Sequence, residues 1–317
     1  MSGLHTLLRT AVSDPAAYVL ATVVRVEGSA YQKEGASMLF DADGGEYGLV
    51  TGGCVEEGLK FEAERLLQEG GMKLLTYDLR AEDDLGWGRG AGCNGAVTIL
   101  LEVLHPARTK ELLELLETRH TLLLVKDTRK GTTEIERTMK ATAVKETAVL
   151  MEDGRVYETI VPREQLLIFG AGRDAAPLVH MAADLAFDVT IVDPRPARND
   201  PSVFPEAAHH LVRHPAGYLA EQQVEADAVV VMTHAFEQDR DIVQALQKQG
   251  FDGYLGILGP RSRTERLLQS RVPETISSPV GMPIDAEGAE EIAVSIAAEL
   301  IQYRRRVKTK AMLEVMA

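Results

Sequence analysis

Apolar residues along this chain occur as short unbroken runs, as strict alternation, or as stripes at helical spacing, and each pattern predicts a different element. In the first half, residues 4 to 12 suit a short helix, and the run Ala17 to Val26 predicts a buried strand. Met38 to Phe40 and Gly48 to Val50 flank an Asp-Gly-Gly turn, which predicts a hairpin. Val55, Leu59, Ala63 and Leu66 then keep one apolar helix face through Glu69. Leu74 to Leu79 and Ala96 to Leu104 predict strands, Ala107 to Arg119 a helix, and Leu122 to Val125 a further strand. Residues 131 to 164 alternate and are polar, with Asp153-Gly154 as a hairpin turn, and Pro162 marks a boundary.

The second half opens on a complete strand, glycine turn, helix and strand, QLLIFGAGRDAAPLVHMAADLAFDVTIVD, from Gln165 to Asp193. Gly170 is placed to turn tightly, and Gly172 to let backbone approach a pyrophosphate. Ala175 is the third small residue of the fingerprint and lets helix and strand pack closely. Asp193 ends the second strand, where an acid accepts a bond from a ribose hydroxyl, so a bound dinucleotide is expected to be NAD rather than NADP. Strands at Val229 to Met232 and Gly253 to Leu258 alternate with helices at Asp239 to Gln249 and Thr264 to Gln269, and a last helix runs from about Ala289 to Arg305. That order predicts an α/β chain: a carboxy-terminal Rossmann-like, doubly wound parallel sheet over 163–317, behind an amino-terminal α+β domain over 1–162.

Composition narrows the chemistry. With 317 residues and 45% hydrophobic content the chain can bury two cores. No run approaches the ~18 apolar residues of a membrane span, and the first twenty residues lack a signal peptide's basic start, so a cytoplasmic protein is expected. A net charge of −14 repels phosphate backbones and argues against nucleic acid. The chain has two cysteines, Cys54 and Cys93, whereas a typical iron–sulfur cluster takes about four thiolates.

Both cysteines lie among glycines. Cys54 follows Gly52 and Gly53 and is expected in a helix's first turn, where the dipole lowers a thiol's pKa and favours an anion; the position also suits a small buried hydrophobe. Cys93 lies in the segment Glu82 to Gly95, whose five glycines surround it and the single tryptophan, a composition that folds over a planar ligand or makes a plain glycine turn. His234, just past a strand's carboxy-terminal end, is a ligand donor or a general base. His209, His210 and His214 lack accompanying ligands at metal spacing.

GSAYQKEGASMLF (28–40), GLVTGGCVEEGL (48–59) and GAGCNGAVTILLEVL (90–104) resemble the amino-terminal domain of the XdhC/CoxI family, the xanthine dehydrogenase accessory factors. With FGAGRDAAPLVHMAADLAFDVTIVDPRP (169–196), VVVMTHAFEQD (229–239), GYLGILGP (253–260) and SPVGMPIDAEGAEEIAVSIAAELI (278–301) behind them, the resemblance is nearly end to end. It implies a factor that binds the molybdenum–pterin cofactor (molybdopterin), assists its sulfuration with a cysteine desulfurase, and delivers it to a xanthine dehydrogenase-type molybdoenzyme. Cys54 and Cys93 would then serve as sulfur carriers or molybdenum ligands, and Gly52 and Gly53 as part of the cofactor cradle. The runner-up from the residues themselves is a NAD-dependent oxidoreductase using the same crevice, with His234 as proton donor. A homodimer is expected, because the last helix is amphipathic and the first domain has strand edges to cover.

Overall fold

The computed structural model describes residues 4–53, 55–80, 95–118, 120–138 and 148–316. These form two compact units, Met1–Pro162 and Arg163–Ala317.

The first unit contains α1 (Leu4–Val12), β1 (Tyr18–Gly28), β2 (Ser37–Phe40), β3 (Glu46–Gly48), α2 (Glu56–Glu69), β4 (Met72–Asp78), β5 (Gly95–Leu104), α3 (Pro106–Glu117), β6 (Thr121–Asp127), β7 (Thr132–Thr138), β8 (Ala148–Glu152) and β9 (Arg155–Ile160). Five strands form one antiparallel sheet in the order β3-β2-β1-β5-β4. Alternation along β1 and β5 gives that sheet two apolar faces. Val19, Ala21, Val23, Ile99 and Leu101 point toward Leu59, Ala63 and Leu66 of α2. Leu20 and Leu104 point the other way, into a core shared with α1, α3 and β6. The segment 131–164, which shows no chemistry in sequence, contributes three strands of a second sheet ordered β7-β6-β9-β8. Asp153 (φ 48°) and Gly154 (φ 77°) make the tight turn between β8 and β9.

Lys126 of β6 is 1% exposed, and its Nζ lies 2.9 Å from both Glu102 Oε2 of β5 and Glu158 Oε2 of β9. Burial pulls the ammonium's pKa down, but the two carboxylates outweigh it and hold the value above the ordinary lysine range. Thr133 donates to the other oxygen of Glu102 at 2.5 Å. One cation and two anions thus join strands of both sheets.

The second unit contains β10 (Glu164–Phe169), α4 (Ala176–Asp184), β11 (Phe187–Val192), β12 (His209–Leu211), α5 (Pro215–Glu221), β13 (Ala228–Val231), α6 (Phe236–Lys248), β14 (Tyr254–Ile257), α7 (Arg261–Leu268), β15 (Ile276–Ser277) and α8 (Gly288–Met316). All six strands are parallel, in the order β12-β11-β10-β13-β14-β15. Counted within the unit this is 3-2-1-4-5-6, the doubly wound order, whose direction reverses between β10 and β13. One face is covered by α4 and α8 through Leu178, Ala182, Ile296 and Leu300, the other by α5, α6 and α7 through Leu219, Ile242, Leu246 and Leu267. The last helix continues well past the expected Arg305, since no glycine or proline interrupts the chain after Gly288.

Glu299 of α8 ties the far edge of this sheet together. It accepts from Tyr254 Oη at 2.7 Å, Ser277 Oγ at 2.6 Å and the Gly281 amide at 2.6 Å. Burial and the adjacent Glu299 charge push the Tyr254 hydroxyl pKa upward, which keeps it a donor.

Candidate functional site

In open α/β sheets the ligand crevice lies at the carboxy ends of the strands where their order reverses. Here that point is bounded by the turn after β10, Gly170-Ala171-Gly172, and by Thr233-His234 after β13. Gly170 has φ +117°, and a Cβ added to it would lie 2.5 Å from Met232 O. Its glycine identity is therefore set by the neighbouring strand as well as by the turn. Ala175 is fully buried, in the core that α4 and α8 share.

Gly172 is different. Its φ of −70° suits any residue, and the space beside it is taken by a side chain. An added Cβ would lie 2.1 Å from Asp174 Oδ1 and 3.8 Å from His234 Nε2. Asp174 Oδ2 in turn meets His234 Nε2 at 2.7 Å. The spot where a Rossmann turn receives a pyrophosphate therefore carries a carboxylate hydrogen-bonded to an imidazole. The visible signal was an acid inside a turn read as an anion cradle.

His234 is itself held in an uncommon conformation, φ +61°. Such a backbone persists where its surroundings over-determine it. Asp239, 1% exposed in the first turns of α6, accepts from the Thr233 hydroxyl at 2.5 Å and from the Thr233 amide at 3.3 Å. Its other oxygen takes Arg263 Nη2 at 2.6 Å, and Arg263 also stands 5.8 Å over the Phe236 ring. Sequence reasoning placed His234 correctly past the strand but passed over Asp239 and Arg263, which fix the turn.

Asp193 is not available for the role expected of it. One oxygen accepts from the Arg195 amide at 2.9 Å and Arg195 Nε at 2.8 Å; the other accepts from the Ala171 amide at 2.8 Å and Arg195 Nη2 at 2.5 Å. A carboxylate offers about four lone-pair directions, so none is left for a ribose hydroxyl. Burial would raise the Asp193 pKa, but the bonds from Arg195 and the two amides outweigh it and hold the carboxyl below its ordinary range. A carboxyl with a depressed folded pKa adds stability above the unfolded value of about 3.9, and that stability is lost as pH falls through the folded value. Asp193→Asn is accordingly expected to flatten the fall in the second unit's stability below about pH 4. Denaturant midpoints at pH 3, 4 and 6 would check it, and an unchanged slope would refute it.

In the first unit the helix α2 starts at Glu56 with Val55 as its cap, two residues beyond Cys54 rather than around it. The Glu56 carboxylate folds back onto this turn and accepts from the Thr51 amide at 3.0 Å and the Val55 amide at 3.1 Å. Burial raises its pKa, and these bonds lower it by more, leaving it below the ordinary range. The helix's own acid thus occupies amides that were expected to receive an outside anion. An acid at the opening of a helix is a self-capping signal that the thiol reading overlooked.

Gly52 and Gly53 are exposed. Gly52 faces the Tyr31 ring, and among the described residues nothing lies within 4 Å of where a Cβ would stand on Gly53, at φ +97°. Cys54 and Cys93, with the segment 81–94, lie outside the described residues. Their flanks are described: Val50 and Val55 share one buried cluster with Leu79 and Val97. Gly95, the first residue of β5, is pressed against the Glu27 carbonyl, where a Cβ would sit at 2.3 Å.

Both units have counterparts among known proteins. Residues 166–300 match the XdhC Rossmann domain, and residues 11–78 match the XdhC and CoxI family. A protein of Bacillus subtilis named as a probable xanthine dehydrogenase subunit is 39% identical, over 97% of this chain and 99% of its own. The molybdenum cofactor insertion chaperone PaoD of Escherichia coli is 28% identical, over 95% of this chain and 88% of its own. A crystal structure from Bacillus halodurans, described as a xanthine dehydrogenase, superposes with a TM-score of 0.81 at 37% identity, covering 96% of each chain. By end-to-end likeness, and by the match of both its parts, this chain belongs to the XdhC and CoxI family.

Proposed function

We propose that this protein is an accessory factor that binds the molybdenum–pterin cofactor and assists its sulfuration and insertion into a xanthine dehydrogenase-type molybdoenzyme. The observation that carries this reading is the co-linearity of the whole chain with a relative named a molybdenum cofactor insertion chaperone and with another named for xanthine dehydrogenase. Two cysteines in 317 residues point the same way, because they are too few thiolates for even one typical cluster.

The amino-terminal glycine turn suits a ligand that comes close to backbone, since Gly53 adopts a φ that side chains rarely adopt and no described residue crowds it. In this reading Gly52, Gly53 and the thiols of Cys54 and Cys93 would hold the cofactor, with soft sulfur ligands suited to its metal. When bound, the cofactor supplies the molybdenum centre that the client enzyme uses. The protein's own part is to bind, orient and shield it. A cysteine desulfurase is the second partner in this scheme, and a homodimer its working form; the exposed Val294 and Ile301, one stripe of α8, suit a contact between protomers.

The test is anaerobic purification of the full chain with its client apoenzyme, followed by mass spectrometry of bound pterin and an activation assay. Cys54→Ser and Cys93→Ser are expected to lose at least about tenfold in cofactor affinity or client activation. Wild-type binding and activation by both variants would overturn the assignment of the thiols.

A NAD-dependent oxidoreductase is the second reading, and the His234–Asp174 pair at the crevice favours it as a proton-handling group. The saturation of Asp193 weighs against it. Nicotinamide turnover that disappears in His234→Ala would revive it.

A further inference from the structure

We infer that the mouth of the parallel-sheet crevice is a phosphomonoester site built on Arg195, and that the same crevice disfavours a bridging pyrophosphate. This goes beyond the cofactor-delivery reading and does not depend on it.

Arg195 stands just past β11, where the sugar of a ligand lies in this fold, and where an arginine takes a phosphate that an acid would repel. Its side chain is 45% exposed although the carboxylate it grips is 2% exposed. Nε and Nη2 are committed to Asp193 at 2.8 and 2.5 Å, so the guanidinium plane is fixed before any ligand arrives. Among the described residues Nη1 makes no hydrogen bond to the protein. A fixed guanidinium edge with free N–H groups matches phosphate oxygens and loses little conformational entropy on binding them. Asp193 also accepts from the Ala171 amide, which puts the arginine beside the glycine turn. Arg198 is exposed on the same turn, its amide donating to Arg195 O at 3.0 Å, and adds a second cation to the rim.

The other half of the inference comes from Asp174. Its Oδ1 would lie 2.1 Å from a Cβ on Gly172, which places a carboxylate where the pyrophosphate of a dinucleotide approaches the backbone. Like charges at that range repel, and the bond to His234 holds the acid there. The cation thus sits at the sugar end of the crevice and the anion at the pyrophosphate end. A ligand with one terminal phosphate satisfies both. Two sources share that chemistry: the phosphate of a nucleoside 2′-monophosphate and the phosphate of a phosphorylated pterin.

Calorimetry on the full chain tests this with adenosine 2′-monophosphate against adenosine. The nucleotide is expected to bind at least tenfold more tightly, and Arg195→Gln to remove that advantage. Because Arg195→Gln leaves Asp193 buried without its cation, the double variant Asp193→Asn/Arg195→Gln is measured beside it; it too should lose the advantage while keeping the wild-type circular dichroism. Equal binding of nucleotide and nucleoside, or an advantage that survives in the folded double variant, overturns the site. Asp174→Asn is expected to tighten NAD binding about fivefold, and unchanged NAD affinity overturns the exclusion of pyrophosphate. One further titration names the source: pterin cofactor released anaerobically, before and after phosphatase treatment, added to the wild type and to the folded double variant. Phosphate-dependent pterin binding that is lost in the double variant makes the pterin the source; without it the nucleotide is the source, and phosphate-dependent binding of either ligand that persists in the double variant overturns the site. None of these arms uses a client enzyme, so their failure is separable from failure of cofactor delivery.

Discussion

Lys126→Met is expected to destabilise the amino-terminal unit by about 3–5 kcal/mol, the cost of leaving buried carboxylates without their cation. Methionine keeps the length of the stem and most of its packing, so the change isolates the charge. Glu102 and Glu158 would then face each other inside the protein, where their only described cation was the Lys126 ammonium, 2.9 Å from each. At 1% exposure for Lys126 and Glu158, water cannot take its place. The lysine pKa is raised in the fold, so its contribution is complete below the unfolded value of about 10.4 and is lost only as pH rises through the folded value. The wild-type stability should therefore show no step from this lysine between pH 6 and 9, whereas the loss in the variant should shrink as pH falls, because two buried carboxylates without a cation take up a proton. Urea unfolding of the variant would measure it, and Lys126→Met/Glu102→Gln/Glu158→Gln should recover much of the loss by removing the charges together. A single-variant loss below about 1 kcal/mol, the range of an exposed pair, would mean the triad is solvated.

Gly170→Ala is expected to cost on the order of 3 kcal/mol or more, through backbone strain and a clash with a core strand. At φ +117° the residue lies outside the left-handed well that alanine tolerates. Its Cβ would also meet Met232 O at 2.5 Å, Met232 C at 2.8 Å and Thr233 Cα at 3.0 Å, all backbone that cannot rotate away. The strain would push β10 from β13 at the mouth of the crevice. Gly172→Ala makes the internal control. Its φ is ordinary, and the close atom is the end of the Asp174 side chain, which can swing off His234 at a cost of about 1 kcal/mol, the worth of a hydrogen bond. Thermal unfolding of the two variants should rank Gly170→Ala far below Gly172→Ala. The reverse order would show that the turn is not held as described.

The sequence by itself determined the elements whose signals are local. The apolar run before Gly170, the helical stripe after it and the strand ending at Val192 specify a βαβ unit within 30 residues, and right-handed parallel connection then leaves few ways to order the strands. Asp153-Gly154 specified its hairpin for the same reason, since a turn with two positive φ angles admits few residue pairs. The site depended on distances that no local pattern records. Asp193 stood at the expected spacing for a ribose acceptor, yet whether its lone pairs are free depends on Ala171, 22 residues away, and on the rotamer of Arg195. Asp174 reads as one more residue of a glycine turn until the fold brings His234, 60 residues on, to its carboxylate. Lys126 directly follows the expected strand Leu122 to Val125, and only the packing of two sheets gives it Glu102 and Glu158. Secondary structure follows from steric and hydrophobic preferences within a few residues, whereas the charge state and availability of a polar group follow from its neighbours in space, which the tertiary structure alone supplies.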